Sequence, residues 1–376
     1  MQGVKEMSEI KRLLCIVSAM NAGGAETFLM KLYRRLDKEK YQMDFCVSDF
    51  KKGFYDDEIR TLGGKVYVIP CKSNSITAFK KSLSDIVKKN HYQYVMRIAS
   101  NAMGFYDLKV AKQNGTRRCI ARSSNSSDGD KLIIKAAHLV GRLLFSRYVD
   151  VKIAPSDLAA RYTFGKKDYE SGNVSILQNA VDLQQYCYLE QNRKQIRKEF
   201  EIDENALVIG HIGRFSEQKN HAFLIDVFRE IQRACKNARL LLVGTGERIG
   251  QIRSRVQKYR LQDQVIFAGE RGDIPKLLSA MDVLLLPSFY EGMPNAVIEA
   301  QATGLQCVVA DTITRDANIT GLVRYLPLGD AKYWADAAIL EAHKKRTDQT
   351  KAFLEKHYDI DSACQQFVDL IFGDKT

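Results

Sequence analysis

Short apolar runs recur along this chain, and each is followed by a turn and then a segment of helical pattern. Residues 13–18, 43–47, 65–69, 94–98 and 118–122 read as strands in the first half. Residues 149–155 and 174–177 look like closing strands of the same unit, and the pattern restarts at Leu207. It continues through 239–243, 265–268, 283–286 and 306–310. Alternation of this kind implies α/β architecture: parallel sheets covered on both faces by helices, with ligands at the C-terminal edges of the strands. At 376 residues the chain is long enough for two such units.

One stretch says most about chemistry: residues 283–304, VLLLPSFYEGMPNAVIEAQATG. An apolar strand leads into a loop over 287–293. Pro294 then suits the first turn of a helix, where a missing N–H costs nothing, and helix formers run from Ala296 to Ala302 before Gly304 stops them. Glu291 therefore lies in the loop at the helix mouth, and Glu299 a little over one turn inside. A helix N-terminus carries unsatisfied N–H donors and roughly half a positive charge. Two carboxylates flanking it leave space for phosphates on the amides of Gly292, Met293 and Asn295, with Pro294 shaping the turn between them, and for sugar hydroxyls on the acids.

This text resembles the signature of retaining GT-B glycosyltransferases, the group often called family 4 (glycosyl transferases group 1). The wider run PSFYEGMPNAVIEAQATGLQCVVADTIT looks like the branch that builds bacterial capsular and exopolysaccharides. The resemblance implies two Rossmann-like domains facing a cleft. An acceptor-binding domain would span 1–182 and a nucleotide-sugar-binding domain 183–376, with the last ~15 residues crossing back to the first. Asn179-Ala180-Val181-Asp182 resembles the hinge text of that family and sets the boundary. The implied reaction moves a hexosyl or N-acetylhexosaminyl unit from a UDP-sugar to a lipid-linked glycan acceptor, with no cofactor and no metal.

Other loops fit that frame. Gly213-Arg214 ends a strand, and Lys219 follows five positions later, so both cations can converge on one diphosphate. In the family this GR-S-x-x-K text grips the diphosphate. Glu291, Arg214 and Lys219 would be the catalytic group, and Glu299 would hold the ribose hydroxyls. Gly244 and Gly246 repeat the strand-to-glycine turn, and the family places the nucleotide nearby, with the nucleobase against the backbone around Arg271. In the first half, Gly23 and Gly24 form a turn between the first strand and first helix. That is either a generic turn or a close approach to phosphate, and the resemblance favours the second. Glu26 reads as a first-turn capping carboxylate.

Arg122 and Asn125 stand in a strand-edge text, ARSSN, where the polysaccharide branch typically shows histidines. They can bind an acceptor phosphate or hydroxyl, or lie in an ordinary solvated loop. A retaining reaction does not require the histidines, because the departing phosphate can accept the acceptor's proton. Asp128-Gly129-Asp130 resembles a metal-binding D-x-D motif, but its place between a Ser-rich loop and a helix is better explained by capping.

A net charge of +12 calls for an anionic partner. Aromatic-studded basic RNA motifs are absent, which argues against nucleic acid. Lys131, Lys135, His138 and Arg142 recur at steps of four, three and four in the apolar helix pattern of 131–148. That helix either lies in an anionic membrane interface or is a core helix with a wet polar edge; its broad apolar face favours the core. No run reaches the roughly 18 apolar residues that span a bilayer, and the short first apolar segment reads as a strand, so a cytoplasmic enzyme is expected, at most peripheral on the inner face of the plasma membrane. The eight cysteines show no C-x-x-C spacing and read as reduced thiols. Rival readings are a UDP-sugar 2-epimerase on the same architecture, a silent sugar-nucleotide binder at a membrane surface, and a basic nucleic-acid binder.

Overall fold

The computed structural model of the chain describes residues 10–21, 23–124 and 132–373, backbone only at 132–133. It divides into two units, one of residues 1–180 with 360–376 and the other of 181–359. The sequence places the boundary at Asp182 and the return to the first unit about 15 residues from Thr376; the division falls at Ala180 and at Ile360.

The first unit holds strands β1 (Lys11–Ile16), β2 (Tyr41–Val47), β3 (Val66–Val68), β4 (Tyr94–Ala99), β5 (Arg118–Ser123), β6 (Val151–Ala154) and β7 (Ser175–Ile176). They form one parallel sheet in the order β3-β2-β1-β4-β5-β6-β7. Leu13, Leu14 and Cys15 of β1 are fully buried, as expected of a central strand with helices on both faces. The helix Ile360–Phe372 belongs to this unit. It inserts Phe367, Ile371 and Phe372 into the core that contains Leu13, Phe28 and Phe45. Phe372 stacks on Tyr41 with ring centroids 4.7 Å apart.

The second unit holds β8 (Val208–Ile212), β9 (Arg239–Val243), β10 (Val265–Gly269), β11 (Val283–Leu286), β12 (Cys307–Ala310) and β13 (Val323–Leu326), in the parallel order β10-β9-β8-β11-β12-β13. The edge strand β13 escapes the sequence reading because VRYL is short and keeps Arg324 and Tyr325 half-exposed. Both sheets reverse direction of growth once: between β1 and β4 in the first unit, and between β8 and β11 in the second. At such a switch point the following loops part to opposite faces and leave a crevice for a ligand.

The helix Asn295–Ala302 begins one residue earlier than its pattern suggests, and Pro294 is its N-cap rather than part of its first turn. It ends at Gly304 for two physical reasons. Gly304 has φ +70 and sits where a β-carbon would come within 2.5 Å of Thr347 O. Its N–H reaches Gln301 O at 2.9 Å while Leu305 N–H reaches Ala300 O at 3.0 Å, so the last carbonyls are satisfied. Arg346 seals the same end, donating to Thr303 O at 3.1 Å, Leu278 O at 2.7 Å and Met281 O at 2.5 Å.

The helix Leu132–Phe145 corrects an expectation. It docks through Gly141, where a β-carbon would meet Met103 N at 2.6 Å, and through buried His138. His138 accepts from Ala102 N–H at 3.1 Å and donates to Tyr162 O at 3.0 Å, so it is not part of a basic stripe. Leu139, Val140, Leu143 and Leu144 face water instead of a core, with Leu143 74% exposed. Lys131, like Asn125, Asp128 and Asp130, lies outside the described residues. All eight cysteines are free thiols, and burial pushes those of Cys46 and Cys119 up to about 12.

Candidate active site

Three loops leave the C-terminal edge of the second sheet side by side, after β9, β8 and β11. The loops after β9 and β8 touch backbone to backbone. A β-carbon at Gly244 would lie 2.3 Å from Gly213 O, and one at Gly246 would lie 2.6 Å from Phe215 O. Both glycines also have positive φ, +130 and +157, so side chains are excluded twice over. Phe215 N–H to Thr245 O and Arg248 N–H to Phe215 O, each 2.9 Å, fasten the two loops.

The loops after β8 and β11 meet across the switch point. Lys219 Nζ lies 2.6 Å from Glu291 Oε1, with both side chains mostly shielded. Gln218, which sequence reasoning did not single out, binds the same loop from the other side. Its O accepts from Phe289 N–H at 2.8 Å, and its Nε2 donates to Tyr290 O at 2.9 Å and lies 3.4 Å from Glu291 Oε2. Gly213 gives the lysine stem its room: a β-carbon there would come within 3.2 Å of Lys219 Cδ and Cε and of His211 Nε2.

Arg214 points elsewhere. Its guanidinium pairs with Glu247 at 3.2 Å and is 74% exposed. The structure therefore joins Lys219 to Glu291 and Arg214 to Glu247, and Glu247 is a second partner that sequence reading missed. Glu247's carboxyl is held below the ordinary range by its own backbone N–H, with Arg214 adding to the effect. Glu299 is buried, 6% exposed, on the helix that Gly292–Asn295 lead into. Arg271 is tied by its side chain to Asp273 and Glu199, which holds its charge firmly.

Beneath the lysine lie two histidines with no place in the expected chemistry. His211 donates Nδ1–H to Leu285 O at 2.8 Å, while His211 Nε2 and both nitrogens of His221 have no hydrogen-bond partner among the described residues. His221 stacks on Phe215 with centroids 4.1 Å apart. Burial, with Lys219 nearby, lowers His221 to about 4 and His211 well below its ordinary value, so both rings are neutral at pH 7.

In the first unit, the helix Gly24–Arg35 starts at the turn after β1 with Gly23 as N-cap. A β-carbon at Gly23 would lie 2.4 Å from Glu26 Oε2, so the carboxylate folds back over the glycine in this arrangement. Burial raises Glu26, opposed by its own backbone N–H and by Arg122 and Arg97. Arg122 is corrected from a solvated loop to a buried strand residue, 1% exposed. It donates to Asn179 Oδ1 at 2.6 Å and lies 4.4 Å from the Phe28 ring centre, and burial lowers it to about 10. Arg97 bridges the switch point, donating to Ile16 O at 3.2 Å. Among the described residues no group of three His, Cys, Asp or Glu could hold a metal ion.

Residues 206–341 match the model of the family Glycosyl transferases group 1. EpsF of Bacillus subtilis (strain 168), a protein named as a glycosyltransferase, is 34% identical over 337 residues, covering 88% of this chain and 87% of EpsF. The chain belongs to the glycosyl transferases group 1 family. A second relative of this group 1 transferase is the UDP-Gal:alpha-D-GlcNAc-diphosphoundecaprenol alpha-1,3-galactosyltransferase of Escherichia coli, 26% identical, with 77% of this chain and 76% of that enzyme covered. Among solved structures, Anabaena Alr3699/HepE in complex with UDP and glucose superposes with a TM-score of 0.77 at 18% identity, covering 96% of this chain and 99% of HepE. The group 1 transferase has the GT-B fold.

Proposed function

We infer that this chain is a retaining glycosyltransferase that moves a hexosyl or N-acetylhexosaminyl unit from a UDP-sugar to a hydroxyl of a lipid-linked glycan, in the synthesis of a bacterial surface polysaccharide. The observation that carries the reading is the Lys219–Glu291 pair at the switch point of the second sheet, 2.6 Å apart, with Glu299 on the helix behind it. The names of the Escherichia coli galactosyltransferase and of the HepE complex support a UDP-linked donor, and the former supports a lipid-linked acceptor.

In this reading Glu291 accepts hydrogen bonds from donor hydroxyls and favours positive charge as it develops at the anomeric carbon. The bond from that carbon to the diphosphate breaks while the bond to the acceptor oxygen forms on the same face. The acceptor's proton passes to the departing phosphate. Lys219 and the helix terminus, joined by Arg214 once its exposed guanidinium turns from Glu247 to the bound diphosphate, stabilise the charge that gathers there, so the step runs without a metal. Glu299 holds the ribose, the backbone near Arg271 meets the base, and Gly244 and Gly246 let the loop approach the nucleotide. The second unit holds the donor and the first holds the acceptor, with Gly23 and Gly24 at its phosphate approach.

The enzyme works in the cytoplasm, touching the anionic inner face of the membrane. The exposed apolar face of the helix Leu132–Phe145 supports that contact. No described helix is long and apolar enough to cross a bilayer. A screen of UDP-sugars scored by UDP release, with and without crude lipid extract, tests the whole reading. Extract-dependent UDP release is expected. A donor epimerised at C2 without acceptor would replace the transferase by an epimerase, and UDP binding with no turnover would replace it by a silent binder.

A further inference from the structure

Two aromatic side chains stand immediately before Glu291, and both are left in solvent: Phe289 is 46% exposed and Tyr290 52%. Single exposed apolar residues are ordinary on a protein surface. These two differ in how their main chain is held. Gln218 clamps it at both residues, through Phe289 N–H at 2.8 Å and Tyr290 O at 2.9 Å. Below them Ser288 is fully buried, and its O accepts from Thr312 Oγ1 at 3.0 Å. A loop already fixed on this scale loses little further conformational entropy when a ligand settles on its rings.

An aromatic ring offers a flat apolar face with a negative quadrupole. A pyranose offers the counterpart, because its axial C–H bonds gather on one face and are polarised by neighbouring oxygens. Stacking covers that face and leaves the hydroxyls hydrated or bonded to a carboxylate. We propose that Phe289 and Tyr290 form a stacking platform for a pyranose ring beside the Glu291 carboxylate. The proposal rests on the transferase reading of the Lys219–Glu291 pair. The stacked ring comes from the donor sugar or from the first sugar of the acceptor, which share this chemistry. The platform supplies affinity and orientation, and no bond is made or broken on it.

The chain has one tryptophan, Trp334, and it is fully buried, so Phe289→Trp reports the loop against a constant background. Its emission is titrated with UDP, UDP-glucose, maltose and N,N′-diacetylchitobiose, with UDP and UDP-glucose binding measured in parallel by calorimetry. Stacking predicts an emission change with UDP-glucose if the donor ring is held, or with a disaccharide if the acceptor ring is held, and none with UDP. In a Phe289→Ala/Tyr290→Ala double variant the affinity for the responding ligand falls roughly 10-fold or more, on the scale of ring stacking, while UDP affinity serves as the fold control. An emission change that UDP alone reproduces, or silence with every pyranose, overturns the platform. Failure of both UDP and UDP-glucose to bind overturns the transferase reading instead, and the disaccharide titrations still decide the platform.

Discussion

Lys219 Nζ lies 2.6 Å from Glu291 Oε1, so the cation proposed to meet the diphosphate and the acid proposed to meet the sugar are each other's ion-pair partner before either substrate part arrives. Removing one partner strands the other in a largely shielded place. Lys219→Ala is expected to lower kcat for UDP release by about 10²–10³-fold, the scale of a lost charge-stabilising donor. Steady-state assays on a variant with a cooperative melting transition check this.

Arg214 provides a cleaner separation of chemistry from folding. Its side chain is 74% exposed and its pair with Glu247 is a surface contact at 3.2 Å. Arg214→Ala should change stability by no more than about 0.5 kcal/mol, yet abolish transfer. Wild-type turnover in this variant, measured by UDP release, would sink the mechanism.

Glu299 sits behind the loop rather than in it, 6% exposed. Glu299→Gln is expected to weaken UDP binding by roughly 10- to 100-fold, as for a charge-assisted hydrogen bond reduced to a neutral one, with a smaller effect on kcat. Calorimetry with UDP measures the first quantity and saturating-donor assays the second.

His221 makes the second unit sensitive to acid. Its folded-state value of about 4 lies below its unfolded value near 6.5, so the unfolded chain takes up the proton first. Its contribution is fully present above pH 6.5 and declines as pH falls toward 4. Between pH 7 and 4.5 the loss should be on the order of 2 kcal/mol. His221→Leu should flatten the melting temperature over this window; an unchanged slope would show that the ring is not the titrating group.

The exposed face of the helix Leu132–Phe145 predicts lipid binding. Leu143 and Leu144 are 74% and 54% exposed, so replacing both with glutamate should spare the fold. Each buried leucine is worth about 1.5–3 kcal/mol, so co-sedimentation with phosphatidylglycerol vesicles should fall at least 10-fold. Equal recovery of variant and wild type would remove the membrane contact.

Much of the architecture could be read from residue order. Runs such as VLLL and CVVA have no polar side to turn outward, so they announce buried parallel strands. Glu291 was placed by the proline and glycines around it. What stayed hidden depends on partners distant in the chain. Periodicity shows that the helix Leu132–Phe145 has an apolar face but not which side Gly141 will press against its neighbour. Arg122 looks like a loop cation until Asn179 and Phe28 close over it, and His211 and His221 look polar until Phe215 and β11 enclose them. Gln218 carried no signal, because its role lies in main-chain atoms of Phe289 and Tyr290.

The helix Ile360–Phe372 completes the core of the first unit, yet it is encoded after the whole of the second. On the ribosome, residues 181–359 can collapse as they emerge, while the amino-terminal sheet waits with Leu13, Phe28 and Phe45 incompletely covered. Closure of the first core therefore waits on residues made after the whole second unit, and a chain halted before Ile360 would leave that apolar surface uncovered.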